Sequence, residues 1–167
     1  MKNEEFQTAK RPNKEITEQV ALQRLMALCA RGEHSSGDML AKLRQWHLPE
    51  DAQARIMARL TGERFVDDVR FARAFVSDKV KYNQWGPRKI AQALAQKGVD
   101  RETAAIALGE IDDDEYLHVL RPLLQSKRRS ISGRTEYERQ MKLMRFALGR
   151  GFTMAQVQRV LNVADEY

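Results

Sequence analysis

The sequence predicts an all-α protein built from three tandem three-helix repeats that form an elongated, curved body. Three observations carry this. No run of alternating β-branched residues bounded by turns reaches strand length, while apolar residues recur at helical spacing along most of the chain. Turn residues cut that periodicity into short helices. One motif also recurs: His47-Leu48-Pro49, Gly98-Val99-Asp100 and Gly151-Phe152-Thr153 each join a turn residue, a hydrophobe and a helix starter, at spacings of 51 and 53 residues. Met39/Leu43, Ile90/Leu94 and Leu143/Ala147 fall in register upstream, and Met57, Leu108 and Leu161 downstream. Units of this period bury their faces on their neighbours.

The divisions that follow are a flexible basic tail (1–16) and repeats over 17–64, 65–111 and 112–167. The tail is polar, with Lys2, Lys10, Arg11, Lys14 and the breaker Pro12. The first helix starts near Thr17 and carries Val20, Leu22, Leu25, Met26, Leu28 and Cys29 to Gly32. Ser35 or Ser36 caps a second helix with Met39, Leu40, Leu43 and Trp46. Pro49 opens a third with Ile56, Met57 and Leu60.

The central repeat has the clearest signals. Asp67 and Asp68 stand where a helix begins and can accept its orphan amides. Val69, Ala72, Phe75, Val76 and Val80 then form one stripe. Asn83 and Gly86 break it, and Pro87 suits a first helical turn. Ile90, Ala93 and Leu94 run on to Gly98, a left-handed C-terminal residue, and Asp100 caps the next helix.

In the third repeat, Asp112 to Glu115 opens a helix with Leu117, Leu120, Leu123 and Leu124. Pro122 inside it predicts a kink or a late start. Lys127 to Gly133 reads as a basic loop. A long helix with Tyr137, Met141, Met144, Ala147 and Leu148 follows, and Thr153 with Gln156 forms a capping-box pattern before Val157, Val160 and Leu161.

Hydrophobic residues make up 43% of the chain and charged residues 31%, a globular balance. The lone Cys29 excludes an internal disulfide framework and fits a reducing, cytoplasmic compartment. Neither a signal peptide nor an apolar stretch of membrane-span length is present, and a monomer is expected. A formal charge of +6 and a pI near 9.6 favour acidic partners.

No P-loop, HExxH or Gly-x-Ser-x-Gly occurs. His34, His47 and His118 are not at ligand spacing, and Cys29 reads as a small buried hydrophobe. Asp112 to Glu115 suits a helix N-terminus better than a divalent ion. Met141, Met144 and Met154 read as core filling. No catalytic residue, cofactor or metal is expected.

The basic residues say more. Arg70, Arg73, Lys79, Lys81, Arg88 and Lys89 crowd the central repeat, and Lys127, Arg128, Arg129 and Arg134 crowd the third. These ten are the candidate partner-binding residues, against the alternative of solvated helix faces. Tyr82 and Trp85 lie between basic groups and either stack on bases or pack between helices.

The run Phe65-x-Asp67-Asp68-x-Arg70-Phe71-Ala72-Arg73-x-Phe75-Val76, then Gly86-Pro87-Arg88-x-Ile90, Leu94 and Lys97-Gly98-Val99, closely resembles the core motif of the RecX family of bacterial recombination regulators. Lys142-x-x-Arg145-Phe146 with Arg150-Gly151-Phe152 resembles its C-terminal repeat. Arg31-x-x-His34-Ser35-x-x-Asp38-Met39-x-x-Lys42-Leu43 resembles its first, with Asp38-Met39 in place of the usual Glu-Leu. The resemblance spans about Val20 to Leu161. It implies three tandem three-helix units that bind the RecA recombinase filament on DNA, lie in its helical groove, and limit its growth, ATPase, strand-exchange and coprotease activities. Some members also touch DNA. The resemblance carries over no catalytic residue, and the positions of Asp67, Phe71 and Gly98 look structural. The alternatives are a helical repeat protein that coats single-stranded DNA directly, and a DNA-acting enzyme, for which only Asp112 to Glu115 offers an acidic cluster.

Overall fold

The computed structural model describes residues 15–164, with side chains to 162, so most of the basic N-terminal tail lies outside the described residues. These residues form helices and no strand: α1 (Glu18–Arg31), α2 (Ser36–Gln45), α3 (Glu50–Gly62), α4 (Asp68–Lys81), α5 (Pro87–Gln96), α6 (Arg101–Gly109), α7 (Asp113–Ser130), α8 (Glu136–Gly149) and α9 (Met154–Ala164). Close helix packing groups them as α1–α3, α4–α6 and α7–α9, with α4 also against α7.

Local chemistry sets the helix ends. The Ser35 side chain accepts from the Asp38 amide, and Asp67 accepts from the Val69 and Arg70 amides at 3.0 and 3.1 Å. Asp100 accepts from the Thr103 amide at 2.7 Å. Thr153 and Gln156 form the reciprocal capping box, with bonds of 2.9 and 3.2 Å.

The repeated turn motif has one physical cause. α2, α5 and α8 all end in the same left-handed cap, at His47 (φ 60°), Gly98 (φ 75°) and Gly151 (φ 94°). Each of these amides bonds three residues back, and the next amide bonds five back: Leu48 to Leu43, Val99 to Leu94, Phe152 to Ala147. That is the Schellman pattern, and its hydrophobic partner residues Leu48, Val99 and Phe152 are buried.

Several expectations are corrected. α7 runs without a break from Asp113 past Pro122 to Ser130, so the proline does not delay the start. Lys127 to Ser130 are the last turn of α7 rather than loop, because cations there oppose the negative end of the helix dipole. Val20, Tyr137 and Met154, expected on buried stripes, are exposed at 38%, 72% and 41%. Ala21 and Leu25 supply the buried face of α1 instead.

The apolar interior falls into two parts. α1–α3 and the connecting Val66 enclose one core, built on Leu25, Met39, Leu43, Ile56 and Leu60. A second, continuous core runs through α4–α9 and includes Val76, Ile90, Leu94, Leu120, Leu143 and Phe152.

Candidate partner-binding surface

The start of the second helix in the first and second units docks on the glycine turn of the unit that follows. The Gly86 amide donates to the Arg150 carbonyl at 2.8 Å, and the Arg88 amide to the Gly151 carbonyl at 2.9 Å. A Cβ on Gly86 would overlap the backbone of Gly151 and Phe152, and one on Gly151 would overlap Lys89. Both glycines are therefore needed for the close approach. At the other junction the Ser35 hydroxyl donates to the Lys97 carbonyl at 2.6 Å, and a Cβ on Gly37 would lie 2.7 Å from the Gly98 Cα.

The docking of α5 on the α8–α9 turn gathers cations and aromatics. The Lys79 ammonium lies over Phe75 (5.2 Å) and Trp85 (5.0 Å), and Lys89 lies over Trp85 at 4.5 Å. Lys81 lies over Tyr82 at 5.2 Å. Across the junction Lys127 and Arg150 lie over Phe146 at 4.8 and 5.7 Å. Arg150 also donates to the Asn83 carbonyl at 3.1 Å, so it ties the 82–85 loop to the third unit. Trp85 is half-buried against the core, as packing requires, whereas Tyr82 is 72% exposed. Arg88 and Lys89 line an open cleft of about 560 Å³ with Leu148 and Phe152.

The ten expected residues therefore divide. Lys79, Lys81, Lys89 and Lys127 join this seam, and Arg88 borders it. Arg128, Arg129 and Arg134 are exposed near the α7–α8 connection. Arg70 and Arg73 lie elsewhere, and both are ion-paired. Arg70 Nε donates to Glu33 at 2.6 Å, and its other nitrogen reaches the Arg64 carbonyl. Arg73 holds Glu110 through two nitrogens at 2.7–2.9 Å. Arg73's hydrogen bond lowers the pKa of Glu110, and Arg73's own is raised by the same contact.

Ion pairing varies along the surface. Arg55, Arg59, Arg70, Arg73, Lys97, Arg139 and Arg159 are all within salt-bridge distance of carboxylates. Among the described residues, no such pair involves Lys79, Lys81, Arg88, Lys89, Lys127 or Arg150. Arg150 instead donates to the Asn83 carbonyl and the Gln84 side chain, and the lysines of this group rest on aromatic rings. Arg150, which is not among the ten expected residues, joins this cluster. Its signal was its place in the repeat, one residue before the turn glycine, where Lys97 stands in the unit before.

The other candidates have structural partners. Asp113 accepts from Gln156 at 2.8 Å and Arg159 at 2.6 Å, as a helix-start carboxylate braced by α9. Among the described residues, no group of three or more His, Cys, Asp or Glu is arranged to hold a metal ion. Cys29 lies 4.0 Å from the Met39 sulfur, and burial pushes its thiol pKa up, away from the reactive thiolate. No described helix is long and apolar enough to cross a membrane.

Comparison with known proteins places these units. Residues 67–108 match the family model for "RecX, second three-helix domain", and residues 113–161 match that for the third. The Regulatory protein RecX of Pseudomonas fluorescens is 32% identical over 139 residues, which span 82% of this chain and 86% of that protein. This chain belongs to the RecX family. The Regulatory protein RecX of Xanthomonas axonopodis pv. citri is 30% identical over 149 residues, covering 89% and 90% of the two chains. The crystal structure of RecX from Lactobacillus salivarius superposes with a TM-score of 0.83 at 19% identity, covering 90% of this chain and 97% of that one, and so shares the fold. As a RecX protein the chain is a regulator, and the seam lies between its second and third three-helix domains.

Proposed function

We propose that this RecX protein binds the RecA filament on DNA and limits its growth, ATPase, strand-exchange and coprotease activities, without chemistry of its own. The reading takes it as a cytoplasmic monomer, a basic tail over 1–16 followed by repeats over 17–64, 65–111 and 112–167. The observation that carries the binding surface is the seam of Lys79, Lys81, Lys89, Lys127 and Arg150. Its cations are held on aromatic rings and left without carboxylate partners. Rings fix where these charges point without neutralising them, so the seam is preorganised for acidic side chains or phosphates. Arg88 extends it, and Arg128, Arg129 and Arg134 continue the positive surface along the third unit. Arg70 and Arg73 instead brace helices.

The test titrates the protein into a RecA–single-strand filament and reads ATP hydrolysis. Arg88→Glu with Lys89→Glu should raise the half-inhibitory concentration about tenfold or more, the equivalent of about 1.4 kcal/mol. Far-UV circular dichroism should show the same melting temperature. Unchanged inhibition at normal stability would remove the seam from the interface.

A second reading, direct binding of single-stranded DNA, is favoured by one feature: Tyr82 is exposed beside Lys81, as a base-stacking platform would be. Binding to bare DNA should fall steeply with salt. Filament binding should require RecA and nucleotide.

A further inference from the structure

The two junctions between units differ in kind. α4–α9 share one continuous apolar core, so the second and third units form a single body. The core of α1–α3 is separate, and among the described residues no apolar cluster bridges the two. Polar contacts hold the first unit in place. Asp68, at the start of α4, accepts from the Ser36 amide at 2.7 Å and from the Ser36 hydroxyl. The Ser35 hydroxyl donates to the Lys97 carbonyl, Lys97 Nζ meets Asp38 at 3.3 Å, and Arg70 meets Glu33 at 2.6 Å. Gly37 and Gly98 meet backbone to backbone. The covalent link is short. Phe65 and Val66 pack on the first core, and Asp67 already caps α4.

We infer that the first unit is hinged: it swings as a folded body about residues 64–67 when the polar clasp on Asp68, Lys97 and Arg70 releases. An apolar interface resists separation because water gains nothing from the exposed groups. Each group in this clasp regains a hydrogen bond or ion pair with water or salt when it opens, so the net cost of opening is small. Both cores stay closed throughout. The open form is then a minor state in dilute buffer that mild perturbation can populate. In a regulator that lies along an extended partner, such a joint lets one unit follow a surface that the rigid pair does not match. The inference concerns the free protein and does not depend on the partner named above.

The test measures distances between spin labels in a Cys29→Ala background. Cysteines at Ala58 and Ala95 report across the hinge, and cysteines at Ala95 and Gln158 report within the second and third units. The wild-type pair across the hinge should show one dominant distance at low salt and gain a second population at molar salt. Glu33→Gln with Asp38→Asn and Asp68→Asn should populate that second distance at low salt, while the pair within the body keeps one distance and helical circular dichroism is unchanged. A single distance across the hinge under every condition would overturn the inference. So would equal broadening of both pairs, or loss of helix alongside the new distance, since the first unit would then be melting rather than swinging.

Discussion

Gly151→Ala tests the logic of the stacked turns most sharply. The residue sits at φ 94°, where an L side chain costs about 1–2 kcal/mol. The added Cβ would also overlap the Lys89 Cβ and lie 2.5 Å from the Lys89 amide nitrogen, and these cannot yield without moving α5. Overpacking of this kind costs about 1–3 kcal/mol. The two together predict a loss of about 2–5 kcal/mol. Gly149→Ala, two residues away, is the control. Its position is helical, and nothing lies within 4 Å of the added Cβ, so removing a helical glycine should stabilise by about 0.5–1 kcal/mol. Urea denaturation followed by far-UV circular dichroism gives both values, with the slope showing whether the surface exposed on unfolding is unchanged. A Gly151→Ala stability within about 0.5 kcal/mol of wild type would refute the reasoning, for it would mean that α5 does not press on this turn.

Other expectations follow from single groups. Asp100→Ala should lower the melting temperature near neutral pH, because the carboxylate caps α6 and the Thr103 amide lowers its pKa. A carboxylate held low contributes above its unfolded value and loses that contribution as pH falls through the folded one, so the variant and wild type should converge in acid. Arg73→Glu should destabilise by facing Glu110, and Glu110→Arg in the same chain should restore the melting temperature; failure of the swap would mean that the pair is not a brace. Burial pushes the Tyr116 phenol up to about 12, so absorbance titration should show one tyrosine resisting ionisation near pH 10. Because the unfolded chain loses that proton first, stability should fall with rising pH from about 10 toward 12. Titration of every tyrosine together in the folded protein would contradict the burial.

Much of the fold was legible because it is written in short-range chemistry. A Schellman turn needs a left-handed residue and a hydrophobe one position later, and His47-Leu48, Gly98-Val99 and Gly151-Phe152 show both. The caps at Asp67, Asp100 and Thr153 are equally local. The α7–α8 region was misread because Ser130, Ser132 and Gly133 resemble loop composition, while the dipole and the packing of Lys127 on Phe146 carry the helix to Ser130. The arrangement of the charged side chains was legible only in part. Arg70 and Arg73 resembled Lys79 and Lys89 in the sequence, yet each pairs with a glutamate 37 residues away, on another element. Helical spacing exposes neighbours three or four positions off and says nothing about such partners. Arg150 was hidden for the converse reason: its aromatic partner is local, but its role is to hold a loop of another unit.

The same turn chemistry differs at the two outer positions of the repeat array. Docking one unit on the next is a heterologous contact, which in principle continues from molecule to molecule. It needs glycine in the receiving turn and a small residue twelve positions earlier in the donating unit, as Gly98 receives Ser35 and Gly151 receives Gly86. At the first unit the equivalent turn carries His47, exposed and at φ 60°, in place of the glycine found at Gly98 and Gly151. At the third unit the position of Ser35 and Gly86 is held by Arg139, already spent on the Gly133 carbonyl and Glu136. α8 also begins earlier than its counterparts, at Glu136, three residues before Arg139. The pattern shared by the two internal junctions is therefore broken at both outer positions, by His47 in the first unit and by Arg139 in the third.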